Sequence, residues 1–170
     1  MERSLYDDEH LAFAESFRSF IAKEISPDYL RWEEEGIAPR DMYLKAGANG
    51  FLGMAIPEQY GGGGSHDFRF NAVLGEELAL AGIGGAGNGI TLHNDITTPY
   101  FTDICDDAQK ERWLPGIASG ELITAIAMTE PGTGSDLASI TTTARRDGDR
   151  YIVNGSKTFI SNGINSDLVI

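Results

Sequence analysis

Near Leu122 the hydrophobic pattern of the chain changes period, and this limits the fold to one with two unlike regions. Before that point apolar residues recur at threes and fours, the spacing of amphipathic helices. In DDEHLAFAESFRSFIAKEI, Phe13, Phe17, Phe20, Ile21 and Glu24 share one face, and Asp7, Asp8 and Glu9 suit the positive end of a helix dipole. Pro27 ends that helix. Pro39 and Asp41 start a second one through Met42, Leu44 and Ala46, which stops near Gly47 or Gly50. IPEQYGGGGSH follows as a loop, because four consecutive glycines hold neither helix nor strand. A third helix is predicted over about 67–81, with Phe70, Val73, Leu74, Glu77 and Leu78. AGIGGAGNGITLHNDITTPYF reads as a fourth, largely buried helix through Ile90, Ile96 and Phe101, interrupted by Pro99. Asp106 or Asp107 then caps a short helix that Gly120 closes.

After Leu122 the texture is that of strands. ITAIAM, ITTTARR, YIVNG and TFISNG are β-branched and apolar, with DGD and NG as turn signals, and ARRDGDRYIV reads as a hairpin. SDLVI looks like a strand that has only just begun, which would leave an apolar edge unpaired. The expected organisation is therefore an all-α helical domain over 1–121 and the start of a β domain over 122–170, with the chain stopping inside the second.

Composition excludes several classes of function. Asp and Glu number 26 against 13 Lys and Arg, a net charge of -13, so nucleic acid and anionic membranes, which need a basic face, are not expected partners. A small anionic ligand remains compatible, since backbone N–H groups can hold it locally. With 41% hydrophobic and 23% charged residues the chain is globular in composition. The single thiol, Cys105, has acidic neighbours that oppose thiolate formation, so it reads as packed rather than nucleophilic. No His, Cys or carboxylate cluster has metal-ligand spacing. MERSLYDDEH lacks a signal core, its acidic residues oppose a transit peptide, and no apolar run approaches a membrane span; a cytoplasmic location is expected.

The chemistry concentrates in TEPGTGSD. Pro131, Gly132 and Gly134 form a tight turn straight after an apolar strand. Its backbone can approach a flat or anionic ligand closely, and successive N–H groups form an anion-binding concavity. Thr129, Thr133 and Ser135 add hydroxyl donors. The pattern is neither GxGxxG nor GxxxxGK[ST]. Taken alone, it reads equally well as a strand-end turn capped by Asp136.

The wider context breaks that tie. IAMTEPGTGSDLA resembles the signature of the acyl-CoA dehydrogenase family, nearest its long-chain-type members. DGDRYIVNGSKTFISNG resembles the family's second strand pair, and IPEQYGG with the helical arm resembles its amino-terminal domain. The resemblance implies a helical domain followed by an antiparallel, barrel-like β domain. It implies FAD held against Ile126, Ala127, Met128 and Thr129, with Gly134 and Ser135 beside the diphosphate and Ser135 also near the CoA arm. Phe159, Ile160 and Ser161 would flank the ring from the next strand, where many relatives have Trp and Thr in place of Phe159 and Ser161. The implied reaction is α,β-dehydrogenation of an acyl-CoA thioester in fatty acid β-oxidation, with a carboxylate taking the α-proton and the β-hydrogen leaving as hydride to the flavin. The implied partners are electron-transferring flavoprotein and further copies of the chain, as a tetramer or dimer.

Neither conspicuous carboxylate reads as that base. Glu130, before Pro131, is better suited to ordering the loop, and Asp136 to capping the next element. In the family the base is a Glu of a carboxy-terminal helical domain, so the 170 residues are expected to bind FAD weakly and to lack activity alone. The resemblance implies that the segment from Gly87 to Asp95, with Gly87 and Thr91, lines the inner end of the acyl pocket. Two glycines in a helix, each costing about 1 kcal/mol against Ala, suggest either room for a medium to long or bulky acyl chain or close helix packing. His93 reads as a packed, satisfied histidine. A sister flavoenzyme, such as an acyl-CoA oxidase or a nitroalkane oxidase, and a non-enzymatic binding or assembly role are the alternatives.

Overall fold

A computed structural model describes residues 4–170. Helix α1 (Asp8–Phe20) passes without a break into a π-helical turn, Ile21–Ile25, which ends before Pro27. Phe17, Phe20 and Ile21 are buried along one face, as their spacing requires. Next come α2 (Tyr29–Glu35), absent from the sequence reading, and α3 (Arg40–Ala48). The glycine run lies in a loop after a short 3-10 turn, Glu58–Tyr60. Helix α4 (Arg69–Leu80) buries Val73, Leu74, Glu77 and Leu78; Glu77 is paired with both ends of the Arg18 guanidinium at 2.6 and 2.9 Å.

The predicted fourth helix is three segments in one run: α5 (Gly85–Thr91), a π-turn (Leu92–Thr97) and α6 (Thr98–Asp103). Pro99 does not interrupt it. It is the second residue of α6, directly after the π-turn, and the helical run continues through it. Ile96, expected inside, is half exposed, because the wider π-turn rotates it off the inward face. Helix α7 (Asp107–Ser119) starts at Asp106, whose carboxylate accepts the Gln109 N–H at 2.8 Å, and ends at Gly120 in left-handed backbone, φ 79°.

Two apolar clusters lie between these helices. The larger includes Phe17, Tyr43, Phe51, Leu74, Ile90 and Ile123. The smaller joins Ile56, Phe101, Leu114, Ile117 and Ala118, and Leu122, Leu168 and Cys105 pack on it. The Cys105 thiol is pushed up by burial and by Asp106 beside it, as befits a packed group.

The second region starts a sheet architecture, but not as expected. Strand β1 (Thr124–Ala125) pairs in parallel with β4 (Leu168–Val169), Thr124 opposite Leu168 and Ala125 opposite Val169. Hydrogen bonds extend that ladder from Ile123 to Ala127 and Ile170. The SDLVI strand is thus paired, and its Leu168 is anchored on the helices. Strands β2 (Thr143–Asp147) and β3 (Arg150–Asn154) form the predicted antiparallel hairpin, with all their residues exposed. Among the described residues there are two two-stranded sheets, one parallel and one antiparallel, and neither is closed. TFISNG is also not a strand. Phe159 and Asn162 have φ of 55° and 63°, and the chain there bends and turns. Among the described residues no helix is long and apolar enough to cross a membrane.

Candidate functional site

Beyond β1 the chain runs out through Ile126 and Ala127, both half-buried, to Met128, which is exposed, and Thr129. The next segment closes on itself. Glu130 N–H donates to Thr133 O at 2.9 Å, and Thr133 N–H to Glu130 O at 3.0 Å. The Glu130 carboxylate points inward. It accepts the Thr141 N–H at 2.8 Å, the Thr141 hydroxyl at 2.6 Å and the Thr142 N–H at 2.9 Å, and pairs with Lys157 Nζ at 3.0 Å. Those hydroxyl and amide donors hold it well below the usual carboxylate range. Glu130 is therefore the bolt of the loop and not a base, as its place before Pro131 suggested. Asp136 sits at the start of the 3-10 turn Leu137–Ser139, but its side chain accepts the Ser139 hydroxyl at 2.5 Å instead of a backbone N–H.

One expected donor is lost to this locking. Thr133 is buried, and its hydroxyl donates to Ser139 O at 3.0 Å. Gly134 and Ser135, by contrast, are exposed. A Cβ built on Gly132 or Gly134 would meet nothing within 4 Å, and neither residue has left-handed backbone. The chain's own packing does not demand glycine there; a ligand lying against the backbone would.

The segment carrying Phe159, Ile160 and Ser161 lies alongside. Thr158 N–H donates to Thr129 O at 3.0 Å, and Lys157 Nζ to Met128 O at 3.0 Å. Phe159 is 92% exposed in left-handed backbone, which is costly for a bulky residue and unrewarded while the ring faces solvent. The Ser161 hydroxyl accepts from Asn88 Nδ2 at 2.9 Å, so α5 meets the same segment. The structure therefore joins Met128 and Thr129 to Lys157 and Thr158, directly before Phe159; among the described residues no hydrogen bond ties Gly134 or Ser135 to residues 157–161. An exposed aromatic ring, a locked turn with an uncovered backbone and free Ser135 fit a flat, diphosphate-bearing cofactor.

The expected acyl-pocket residues have closer partners. A Cβ on Gly87 would lie 3.1 Å from Leu78 of α4, and one on Gly89 would run into the Tyr43 hydroxyl and lie 2.6 Å from Asn162 Oδ1. Both glycines thus serve close packing. The Thr91 hydroxyl is turned back on its own helix, 3.4 Å from Gly87 O and 3.3 Å from Asn88 O. A cavity of about 360 Å³ lies nearby, between Trp32 and Glu33 of α2, Ala86 of α5 and residues 160–165. His93 is buried and satisfied. Its Nδ1 accepts from the Thr124 hydroxyl at 2.8 Å, which leaves Nε2–H to donate to Ile117 O at 3.0 Å; burial holds its pKa down against that bond.

The residues 7–121 match the family pattern described as "Acyl-CoA dehydrogenase, N-terminal domain", and 125–170 match "Acyl-CoA dehydrogenase, middle domain". The chain belongs to the acyl-CoA dehydrogenase family. It is 44% identical over 168 residues to the long-chain specific acyl-CoA dehydrogenase, mitochondrial, of Mus musculus, covering 99% of this chain and 38% of that protein. The crystal structure of an acyl-CoA dehydrogenase from Geobacillus kaustophilus superposes with a TM-score of 0.93 at 51% identity, over 99% of this chain and 44% of that one. That of an acyl-CoA dehydrogenase complexed with FAD from Bacillus anthracis gives 0.89 at 31% identity, over 100% and 29%. The chain thus spans well under half the length of these acyl-CoA dehydrogenases.

Sequence reasoning missed the residues that hold the family's motif in shape. Lys157, Thr141 and Thr142 fix Glu130, and Asn88 and Asn162 fix the turn after Phe159. The one available signal was the NG dipeptide at Asn162 and Gly163, which marks a turn.

Proposed function

We propose that these residues form the flavin-facing part of an FAD-dependent enzyme that introduces an α,β double bond into acyl-CoA thioesters. The observation that carries the proposal is the pairing of a locked turn, open at Gly134, with Phe159 held out in left-handed backbone beside Thr129. FAD, when bound, supplies the hydride acceptor. Ile126, Ala127 and Met128 offer backbone groups to the ring, and Thr129 offers its hydroxyl. Gly134 leaves room beside the diphosphate, where Ser135 donates its hydroxyl, a group also within the reading of the CoA arm. Phe159 and Ile160 exclude water from one side of the ring, and Ser161 presents a hydroxyl there. Glu130 is committed to Thr141, Thr142 and Lys157. The α-proton therefore goes to a carboxylate outside residues 1–170, on this reading a Glu of a further helical domain, and the sheets here begin a barrel-like β domain.

The preferred acyl chain is medium to long or bulky. Its support is the likeness to a long-chain specific relative, since Gly87 and Gly89 are explained by packing. Gly87 and Thr91 would line the pocket's inner end through backbone and methyl groups. On the same reading the domains divide at 1–121 and 122–170, electrons leave to electron-transferring flavoprotein, and the enzyme is a cytoplasmic homo-oligomer, tetramer or dimer, of β-oxidation. The test is anaerobic addition of saturated acyl-CoA thioesters of graded length to the full-length, flavin-loaded protein. Bleaching of the oxidised-flavin band, steepest with the longer chains, is expected. A flavin band unchanged by every thioester would overturn the assignment.

A further inference from the structure

We infer that Asn162 and Tyr43 are positioning residues, a clamp that fixes Phe159–Ser161 against α5. Asn162 Nδ2 donates to two carbonyls from different elements, Gly89 O of α5 at 3.0 Å and Thr124 O of β1 at 3.2 Å. Its Oδ1 accepts the Tyr43 hydroxyl of α3 at 2.6 Å. One amide thus ties α3, α5 and β1 together, and two carbonyl partners dictate which end is the NH2. The Asn162 backbone is left-handed, φ 63°, a conformation that Asn tolerates better than other side chains. Tyr43 is 1% exposed, and burial pushes its hydroxyl pKa up, so it remains a donor.

The neighbouring contacts are in register with this clamp. Asn88 bonds Ser161 and its neighbour Gly89 bonds Asn162, so two consecutive residues of α5 hold two consecutive residues of the turn. The absent side chain of Gly89 is what admits both Tyr43 and Asn162. The far end of the turn is held from the start of α3 and the residues just before it. Arg40 donates to Asn165 O, to Glu121 O at 2.9 Å and to Asp167 Oδ2 at 2.7 Å, and Asn165 Nδ2 donates to Ala38 O at 2.7 Å. Bonds at Thr158 and at Ser161 and Asn162 thus hold the backbone on either side of Phe159.

The functional weight of the clamp rests on the flavin reading, while its geometry does not. The test compares Tyr43→Phe, Asn162→Gly, Asn162→Ala and the Tyr43→Phe/Asn162→Gly double variant in the full-length protein, flavin-loaded and flavin-stripped. Amide exchange over residues 159–163, FAD affinity and the melting curve are read together. Exchange in that stretch is expected to rise, and FAD affinity to fall, by about tenfold in each variant, with the two single changes not adding in the double. Asn162→Gly is expected to behave like Asn162→Ala, because the lost amide matters and not only the left-handed backbone. The clamp is overturned if Asn162→Gly restores wild-type exchange and affinity. It is equally overturned if the variants lower only the melting temperature while exchange and affinity stay within about twofold. Should the wild-type protein take up no FAD, the flavin reading falls, and exchange over 159–163 in the stripped protein alone decides the clamp.

Discussion

Glu130 shows how a residue can look catalytic in a sequence and be structural in the fold. It lies inside the family motif, yet three donors and Lys157 surround its carboxylate. A carboxylate so solvated by its own chain is a poor base, because protonation would weaken those charge-assisted contacts and set a new donor among donors. Its depressed folded pKa also fixes the sign of a pH effect. The stability that it contributes is fully present above the unfolded carboxylate value, about 4.3, and is lost as pH falls through the lower folded value. Glu130→Gln is therefore expected to lower the melting temperature at neutral pH and to flatten the acid limb of stability below about pH 4. Thermal melts from neutral to acid pH check this; parallel wild-type and variant curves would count against it. The motif and the loop-ordering role of Glu130 were legible, whereas the partners that lock it were not. Thr141 and Thr142 lie 11 and 12 residues away, across a turn whose path no local pattern gives.

At the scale of elements, legibility followed the number of inward residues. Helices α1 and α4 each bury several side chains at helical spacing, and α7 has a cap that can be read directly. Replacing that cap, Asp106→Ala, is expected to cost about 1 kcal/mol in a denaturant melt. A change below about 0.3 kcal/mol would mean that Gln109 finds another acceptor. Helix α2 was missed because YLRWEEE buries only Trp32 while Leu30 is exposed, and one inward residue makes no period. The two π-turns were invisible for a related reason. Each widens one turn and moves the stripe, so Ile96 appears inward in the sequence and faces out. In TFISNG the β-branched and aromatic composition pointed to a strand, but Phe159 and Asn162 adopt backbone that no strand has.

For the molecule as a whole, the break in texture near Leu122 located the change from helices to strands, and the order of elements followed from it. What the break could not convey was pairing. Strand β1 finds β4 44 residues later and in parallel, and the hairpin stands apart with both faces exposed. The candidate site is non-local in the same way, since Tyr43 and Asn162 are 119 residues apart. On the proposed reading, the turn ending in Gly134 and Ser135, with Phe159 near Thr129, forms a flavin cradle that the chain leaves uncovered. FAD titration of the protein and of Gly134→Leu, each paired with a melting curve, tests it most directly. A Cβ at Gly134 meets nothing within 4 Å, so the variant should melt as the wild type does. Its FAD affinity should fall by at least about tenfold, because the added side chain fills the space that the cofactor needs. Equal FAD affinity in the two proteins, with both folded, would contradict the account.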